Sequence, residues 1–430
     1  MTRRDCEVLV LGAGPAGIAA ACCAGESGRQ VILTDENPAC GGQIWRAQRG
    51  AMHTRADVQH AADLWLTRLG RCGASVLSGA TAFDADAALH FVRFETDRGV
   101  EEIHYSALIL ATGARERLLP FPGWTRSGVY AAGGLQALVK GGFRIDGQRI
   151  LVAGTGPLLL AAAGMLGAHG GEVLMILEQA GWRSLTRFGL HLAGFPDKLL
   201  QAATLMVQAG VVPYRPGWWV CEAGGNGPLE WVAITDGKRT VRVDCDMLAL
   251  GYGLVPNSEL ARLMGCRTTG SSAAPGAHFV DVDARQKTSL DGVFACGEIT
   301  GIGGAELSLA EGSVAGYAAC GHWHEVDRVA PLRNCLARQV HAMDSAFALR
   351  DELRAAVTPD TLVCRCEDVP AAELAGFGSW REAKLGSRCG MGPCQGRTCG
   401  PAVEFVWGWS AESVRPPITP VRLGSMSDQP

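Results

Sequence analysis

The chain has 430 residues, 47% hydrophobic and 19% charged, with 57 glycines and a formal net charge of −4. That length exceeds one compact core and calls for two to three turn-rich α/β domains, while the slight acidity removes the basic field that nucleic acid would need. Sixteen cysteines would suggest disulfides in a secreted protein, but the first strand begins within six residues of Met1, so the expectation is a reducing, cytoplasmic setting with mostly free thiols.

The opening stretch "CEVLVLGAGPAGIAAACCAGESGRQVILTDE" reads as a βαβ unit: a strand from Val8 to Leu11, a glycine turn, an alanine-rich helix, and a strand from Val31 that ends at Asp35 and Glu36. Gly12 permits the turn, Gly14 lets backbone approach a pyrophosphate, and Gly17 lets the helix lie close on the strand. Pro15 and Ala16 open the helix, whose N-terminus faces the phosphates. Asp35, eighteen residues after Gly17, suits the ribose hydroxyls, with Glu36 as the alternative. Gly42 and Gln43 follow in a loop that would run beside the ligand. Further on, a buried strand from Ala107 to Leu110 ends in Ala111, Thr112 and Gly113.

The apolar run from Ile150 to Leu177 contains six glycines, Pro157, His169 and Glu172, so it reads as strand, turn, helix, strand rather than a membrane span. It repeats the first pattern with Gly154, Gly156 and a terminal Glu178, but Leu159 replaces the third glycine. That departure puts nicotinamide binding in doubt, and Glu178 disfavours a 2′-phosphate. Later a short strand from Val293 to Ala295 ends in Gly297 and Glu298, ahead of a small-residue helix.

A helical pattern near residues 329–358 leads to "VCRCEDV" and "SRCGMGPCQGRTCG". Cys364 and Cys366 are followed after twenty-seven residues by Cys394, and Cys399 completes the set. Four thiolates are what a [2Fe-2S] cluster requires, one iron drawing on Cys364 and Cys366 and the other on Cys394 and Cys399. Zinc is a competing reading, although its sites favour wider gaps within a pair; a redox pair at 389/394 or 394/399 is another. Cys389 is read as a bystander, and glycines 390, 392 and 396 as sources of backbone N–H groups for the sulfurs. After the first βαβ unit Cys40 stands alone, and Cys221, Cys245 and Cys266 are too scattered for a dithiol.

The pieces at 12–17, 41–43, 111–113 and 297–298 resemble the FAD-binding elements of the two-dinucleotide-domain flavoproteins, the class of thioredoxin and glutathione reductases. Glu298 stands where that class usually has aspartate. "DENPACGGQIWR", "VAGTGPLLLA" and the terminal cysteines narrow the resemblance to the FAD subunits of opine oxidase, D-hydroxyproline dehydrogenase, dye-linked proline dehydrogenase and hydrogen cyanide synthase, which carry a bacterioferritin-associated-ferredoxin-like segment. The resemblance implies an α/β fold of two Rossmann-like domains, the second inserted in the first, and a small C-terminal [2Fe-2S] domain. The expected division is 1–118 and 279–328 for the FAD domain, 119–278 for the second nucleotide domain, 329–358 for a linking helix and 359–430 for the cluster domain and tail. It further implies FAD and the cluster, while the second site, given Leu159, is left to NAD, another adenine nucleotide or nothing. The implied partners are an FAD-dependent amine-oxidising subunit of the glycine-oxidase type, a small additional ferredoxin-like subunit and an electron acceptor, with attachment at the inner membrane face as the other placement. No catalytic base for amine oxidation can be named. A self-sufficient NADH-dependent ferredoxin-type reductase and a non-catalytic scaffold subunit are the competing functions.

Overall fold

The computed structural model describes residues 1–45, 56–192, 194–271, 274–411 and 413–427; Arg46, the last residue of the "DENPACGGQIWR" stretch, lies outside them. Strands Thr2–Leu11 and Val31–Asp35 pair in parallel, Val8 beside Val31 through Leu11 beside Thr34. Their side chains alternate as a strand requires: Val8 and Val10 enter one core cluster, Leu9 and Leu11 the other. The joining helix Pro15–Glu26 is buried from Pro15 through Ala24. A helix apolar on every side has to be enclosed, and here the sheet covers one side and helix Gly304–Ala319 the other. Glycine makes that approach possible. A Cβ on Gly312 would stand 2.1 Å from the Ala16 carbonyl oxygen, and one on Gly316 would stand 2.5 Å from that of Ala20.

The first sheet has seven strands. Gly99–Leu110 lies parallel to Thr2–Leu11, and the late strand Val293–Ala295 pairs beside it, Val293 with Leu108. The chain thus leaves the first sheet and returns to it. The inserted domain is a five-stranded sheet ordered Tyr214–Pro216, Glu172–Glu178, Arg149–Gly154, Met247–Gly251, Val129–Ala131, with every pairing parallel.

Two expected boundaries shift. Leu260, Ala261, Met264, Cys266 and Val280 are buried with Leu9, Ile103 and Leu108 in the first domain's core, so the insertion ends before residue 260 rather than at 278. The reason is a hinge: Leu254–Pro256 pairs antiparallel with Ala114–Glu116 and carries the chain back. The linking helix is Trp323–Ala346, starting earlier and ending sooner than expected, and a 3-10 turn Asp351–Ala356 follows.

The C-terminal unit has its own small core of Val363, Leu374, Trp380, Ala383 and Val403 around three cysteines. Ser379 accepts a hydrogen bond from the Glu382 amide and so caps helix Trp380–Ser387. The proline-rich tail packs back on the first domain, with Ile418 in that domain's core and its amide donating to the Phe83 carbonyl at 2.9 Å. Trp407 and Trp409 stack on each other, centroids 5.7 Å apart, against the C-terminal core. Among the described residues, no helix is long and apolar enough to cross a membrane.

Because the Gly312 position meets backbone, Gly312→Val cannot be relieved by a rotamer change. It should cost at least about 3 kcal/mol, seen as a lower urea midpoint and loss of flavin from the purified protein. A variant as stable as the parent would contradict this reading of the helix contact.

Candidate functional site

The sequence segments singled out around the first turn converge. Gly12, at φ 99°, is stacked so closely on the 111–113 turn that a Cβ would lie 2.2 Å from the Ala111 oxygen. Gly17 closes on the Gly12 oxygen, Gly42 on the Gly14 Cα, and Gly297 on Ala16. Four separate stretches therefore surround one helix start, a cradle that side chains would fill. That start, Gly14, has no side-chain cap and no acid in the first turn, which leaves amides for an anion.

Asp35 Oδ2 accepts from the Ala13 amide at 2.6 Å, and Oδ1 accepts from the amide and side chain of Asn37 at 2.7 and 2.8 Å. Three donors leave a carboxylate room for a further bond, while Glu36 is exposed beside it. Gln43 is exposed in the short helix Gly42–Trp45. Glu298 follows Gly297, half-buried, and burial pushes its carboxyl above the usual range.

A residue that sequence reasoning missed fixes this turn. Glu311, 4% exposed, accepts from the Gly297 amide at 2.9 Å and from Thr300 Oγ1 at 3.1 Å, with Arg333 at 3.6 Å. An acid on the buried stretch between Ala310 and Val314 was the available signal. These residues fit a flavin dinucleotide.

The second turn repeats the motif, but both its backbone and its acid environment differ: Gly156 stands at φ 90°, where its counterpart Gly14 is at −78°. Helix Leu158–Ala168 forms despite Leu159, but it begins one motif position later than helix Pro15–Glu26, with Pro157 as its N-cap. Leu159 is fully buried and lies against Gly251, where an added Cβ would come within 3.3 Å of Leu159 Cδ2; a glycine in the neighbouring strand makes up for the one missing from the turn. Glu178 is 0% exposed. Its Oε1 accepts from Thr155 Oγ1 at 2.9 Å and the Ala180 amide at 2.8 Å, and its Oε2 from the Gly156 amide at 2.7 Å and Tyr214 Oη at 3.5 Å. Burial raises its pKa to about 7 despite these donors. Its acceptor positions are met from inside the protein, so a ribose would have to displace one of these donors, the long Tyr214 contact first.

The terminal cysteines gather, but not in the expected pairs. Cys364, Cys389 and Cys399 are buried with their sulfurs all within 4.8 Å of one another, and Cys366 shares a hydrogen bond with Cys394. Proximity thus runs between the Cys-x-Cys turn and the later loop rather than within each segment, because the hairpin Leu362–Cys364/Val369–Pro370 lays that turn against the loop. Cys389, read from sequence as a bystander, sits inside the group. It follows Arg388, whose left-handed φ of 67° ends helix Trp380–Ser387 and turns the chain inward. The Gly390 amide donates to Cys364 Sγ at 3.4 Å. A Cβ on Gly392 would lie 2.3 Å from that of Cys366. The hydrogen bond with Cys399, and then burial, hold the Cys364 thiol well above its ordinary pKa, as befits a thiol that ionises only on meeting a cation. This donor set fits an iron-sulfur cluster.

One guanidinium joins the two centres. Arg115, two residues past Gly113, donates from Nε to the Arg397 carbonyl at 3.1 Å, inside the Cys394–Cys399 loop. Its Nη1 donates to Asn257 Oδ1 at 2.8 Å, and Nη2 pairs with Glu259 at 2.7 Å. Asn257 Nδ2 in turn donates to the Thr112 carbonyl at 2.9 Å, and Thr112 Oγ1 to the Asn257 carbonyl at 2.7 Å. The flavin-side turn and the cysteine loop therefore share one hydrogen-bonded support, and Gly276 meets Pro401 closely enough that a Cβ would lie 2.6 Å from its Cα.

Residues 6–319 match the family described as pyridine nucleotide-disulphide oxidoreductase. An opine oxidase subunit of Rhizobium meliloti (strain 1021) is 31% identical, with 98% of this chain and 98% of that protein covered. Hydrogen cyanide synthase subunit HcnB of Pseudomonas protegens is 28% identical over 91% of this chain and 89% of that one. The fold also matches L-proline dehydrogenase from P. horikoshii, with a TM-score of 0.71 at 18% identity over 99% of this chain and 80% of that chain. The cradle around Gly14 and these likenesses lead to one conclusion: the chain belongs to the pyridine nucleotide-disulphide oxidoreductase family and is an FAD-dependent oxidoreductase subunit of the class that includes the matching opine oxidase subunit.

Proposed function

We propose that this chain is the electron-transfer subunit of a multi-subunit dehydrogenase acting on the C–N bond of an amino acid or opine. A separate FAD subunit of the glycine-oxidase type would oxidise the amine, and this subunit would convey the electrons to an external acceptor. The assembly would be cytoplasmic or attached at the inner membrane face. The observation that carries the reading is the Arg115 link, which holds the Ala111–Gly113 turn beside the Cys394–Cys399 loop. A flavin exchanges electrons in pairs or singly and a [2Fe-2S] cluster exchanges them singly, so a chain holding both can convert between the two.

In this reading Gly12, Gly14 and Gly17 open the dinucleotide cradle, Asp35 meets the ribose, and Glu311 fixes the turn that presents Glu298. Cys364, Cys366, Cys394 and Cys399 supply the thiolates, and the Gly390 N–H steadies the Cys364 sulfur. The names of the relatives mark them as subunits, which supports an obligate partner.

The test is activity with and without that partner. The purified flavin-loaded chain should show no dehydrogenase activity toward proline-type or opine substrates with a dye acceptor, and should gain it with the amine-oxidising subunit. Activity of the chain alone would sink the proposal.

Removal of single thiols should be graded. Cys364→Ser and Cys399→Ser should each lower bound iron and sulfide at least roughly tenfold, because fewer than four thiolates weakens the ligand set. Cys335→Ser, in helix Trp323–Ala346, should leave both unchanged. Cys389→Ser should keep the iron but shift the visible and EPR spectra, since its thiol lies against the Cys399 sulfur.

Arg115→Ala removes donors to three acceptors in a largely buried setting and should cost about 2–3 kcal/mol. Hydrogen exchange of the amides at 394–399 should speed up while the 12–17 turn stays protected. Equal exchange in the variant and the parent would show that the link does not hold the loop.

A further inference from the structure

The mouth of the second glycine turn is crossed by the chain itself. After helix Trp323–Ala346, residues Phe347–Arg350 run without regular structure to the 3-10 turn Asp351–Ala356. The Phe347 carbonyl lies 3.3 Å from Thr155 Oγ1, which shares its one proton between that carbonyl and the nearer Glu178 Oε1, and the Ala348 carbonyl accepts from Gln179 Nε2 at 3.0 Å. The Arg350 amide donates to Gln179 Oε1 at 3.1 Å, and its Nη1 to the Gln179 carbonyl at 3.3 Å. The Phe347 ring stands against the turn, with its Cγ 3.9 Å from where a Gly156 Cβ would be. It meets Phe188 edge-on, centroids 5.2 Å apart at 70°. The Arg350 guanidinium lies 4.2 Å over the Trp219 ring, and Leu353 is buried in the inserted domain's core.

A dinucleotide on a βαβ unit sets its pyrophosphate over the second glycine and its ribose on the acid ending the second strand. In the inserted domain both places are taken. Phe347 stands at Gly156, and the residues flanking Glu178, namely Thr155 at 7% and Gln179 at 1% exposure, bind the carbonyls of 347 and 348 instead of solvent. At the first turn of the same chain, among the described residues, the atom nearest a Cβ on Gly14 is the Gly42 Cα at 3.9 Å, part of the cradle itself rather than a crossing segment, and Asp35 keeps 8% exposure and an acceptor position.

We propose that Phe347–Arg350 is a built-in ligand of the second dinucleotide turn, seated where the adenosine half of a dinucleotide would lie, so that the inserted domain receives the chain's own linker and excludes free adenine nucleotides. The strap is tethered at both ends, by the helix before it and by Leu353 after it, so its effective concentration at the turn is on the order of millimolar or higher. A free nucleotide competes against that concentration as well as against the strap's hydrogen bonds. Docking of the strap also fixes the end of the long helix from which the cysteine unit continues.

The test is equilibrium dialysis of the flavin-loaded chain with ADP, which the filled first site cannot accept. The parent should show no binding up to about 1 mM. The double variant Phe347→Ala/Arg350→Ala, with unchanged near-ultraviolet circular dichroism, should bind ADP at least roughly tenfold more tightly than that limit. A folded double variant that gains nothing would overturn the proposal. So would a parent that binds ADP below the limit and loses it on Gly156→Val. Should the double variant fail to fold, hydrogen exchange on the parent decides: the amides of 155–159 and 347–350 should be unaffected by ADP, and ADP-dependent change there would overturn the strap.

Discussion

The close approach of helix Gly304–Ala319 to helix Pro15–Glu26 is the contact on which the rest of the molecule depends. It holds because backbone meets backbone at Gly312 and Gly316, with no side chain available to adjust. By fixing the late helix on the early one, it brings Gly297 and Glu298 to the glycine turn at Gly12–Gly17, nearly three hundred residues away in sequence. Glu311, on the same late helix, then hydrogen-bonds the Gly297 amide. One packing constraint thus assembles the flavin cradle and leaves the inserted domain free to diverge.

That freedom shows in the two glycine turns. Both present a strand, a turn and a terminal acid, and sequence places Asp35 and Glu178 in equivalent positions. Their surroundings separate them. Among the described residues Asp35 keeps an unused acceptor position beside an uncapped helix start, whereas Glu178 is enclosed by Thr155, Gly156, Ala180 and Tyr214, with Phe347–Arg350 bonded to the neighbouring Gln179. A fold inherited for binding a nucleotide can then serve as a rigid receptor for linker chain. The Arg115 support works the other way, tying the Ala111–Gly113 turn to the cysteine loop.

The doubly wound architecture was readable because glycine spacing and strand periodicity are local signals. Val8–Leu11, Ala107–Leu110 and Val293–Ala295 each fall inside an observed strand, and they pair as neighbours in one sheet. The insertion's end at 278 was misplaced because the returning hinge, Leu254–Pro256 on Ala114–Glu116, is a three-residue pairing with no periodic signature. Leu159 could be recognised as a departure, but its accommodation by Gly251 depends on a strand ninety residues on. Cys389 looked spare because four cysteines already met the ligand count, and only the left-handed turn at Arg388 sends it inward. The strap was invisible for a similar reason: nothing in "FALR" marks it as a ligand until the chain path lays it on Gly156.

The most direct test is an anaerobic visible spectrum of the purified flavin-loaded chain, taken before and after adding NADH and then after adding dithionite. The proposed function and the proposed strap together predict that NADH leaves the flavin oxidised while dithionite reduces it. Prompt bleaching of the flavin by NADH would contradict this and would make the chain a nicotinamide-driven reductase.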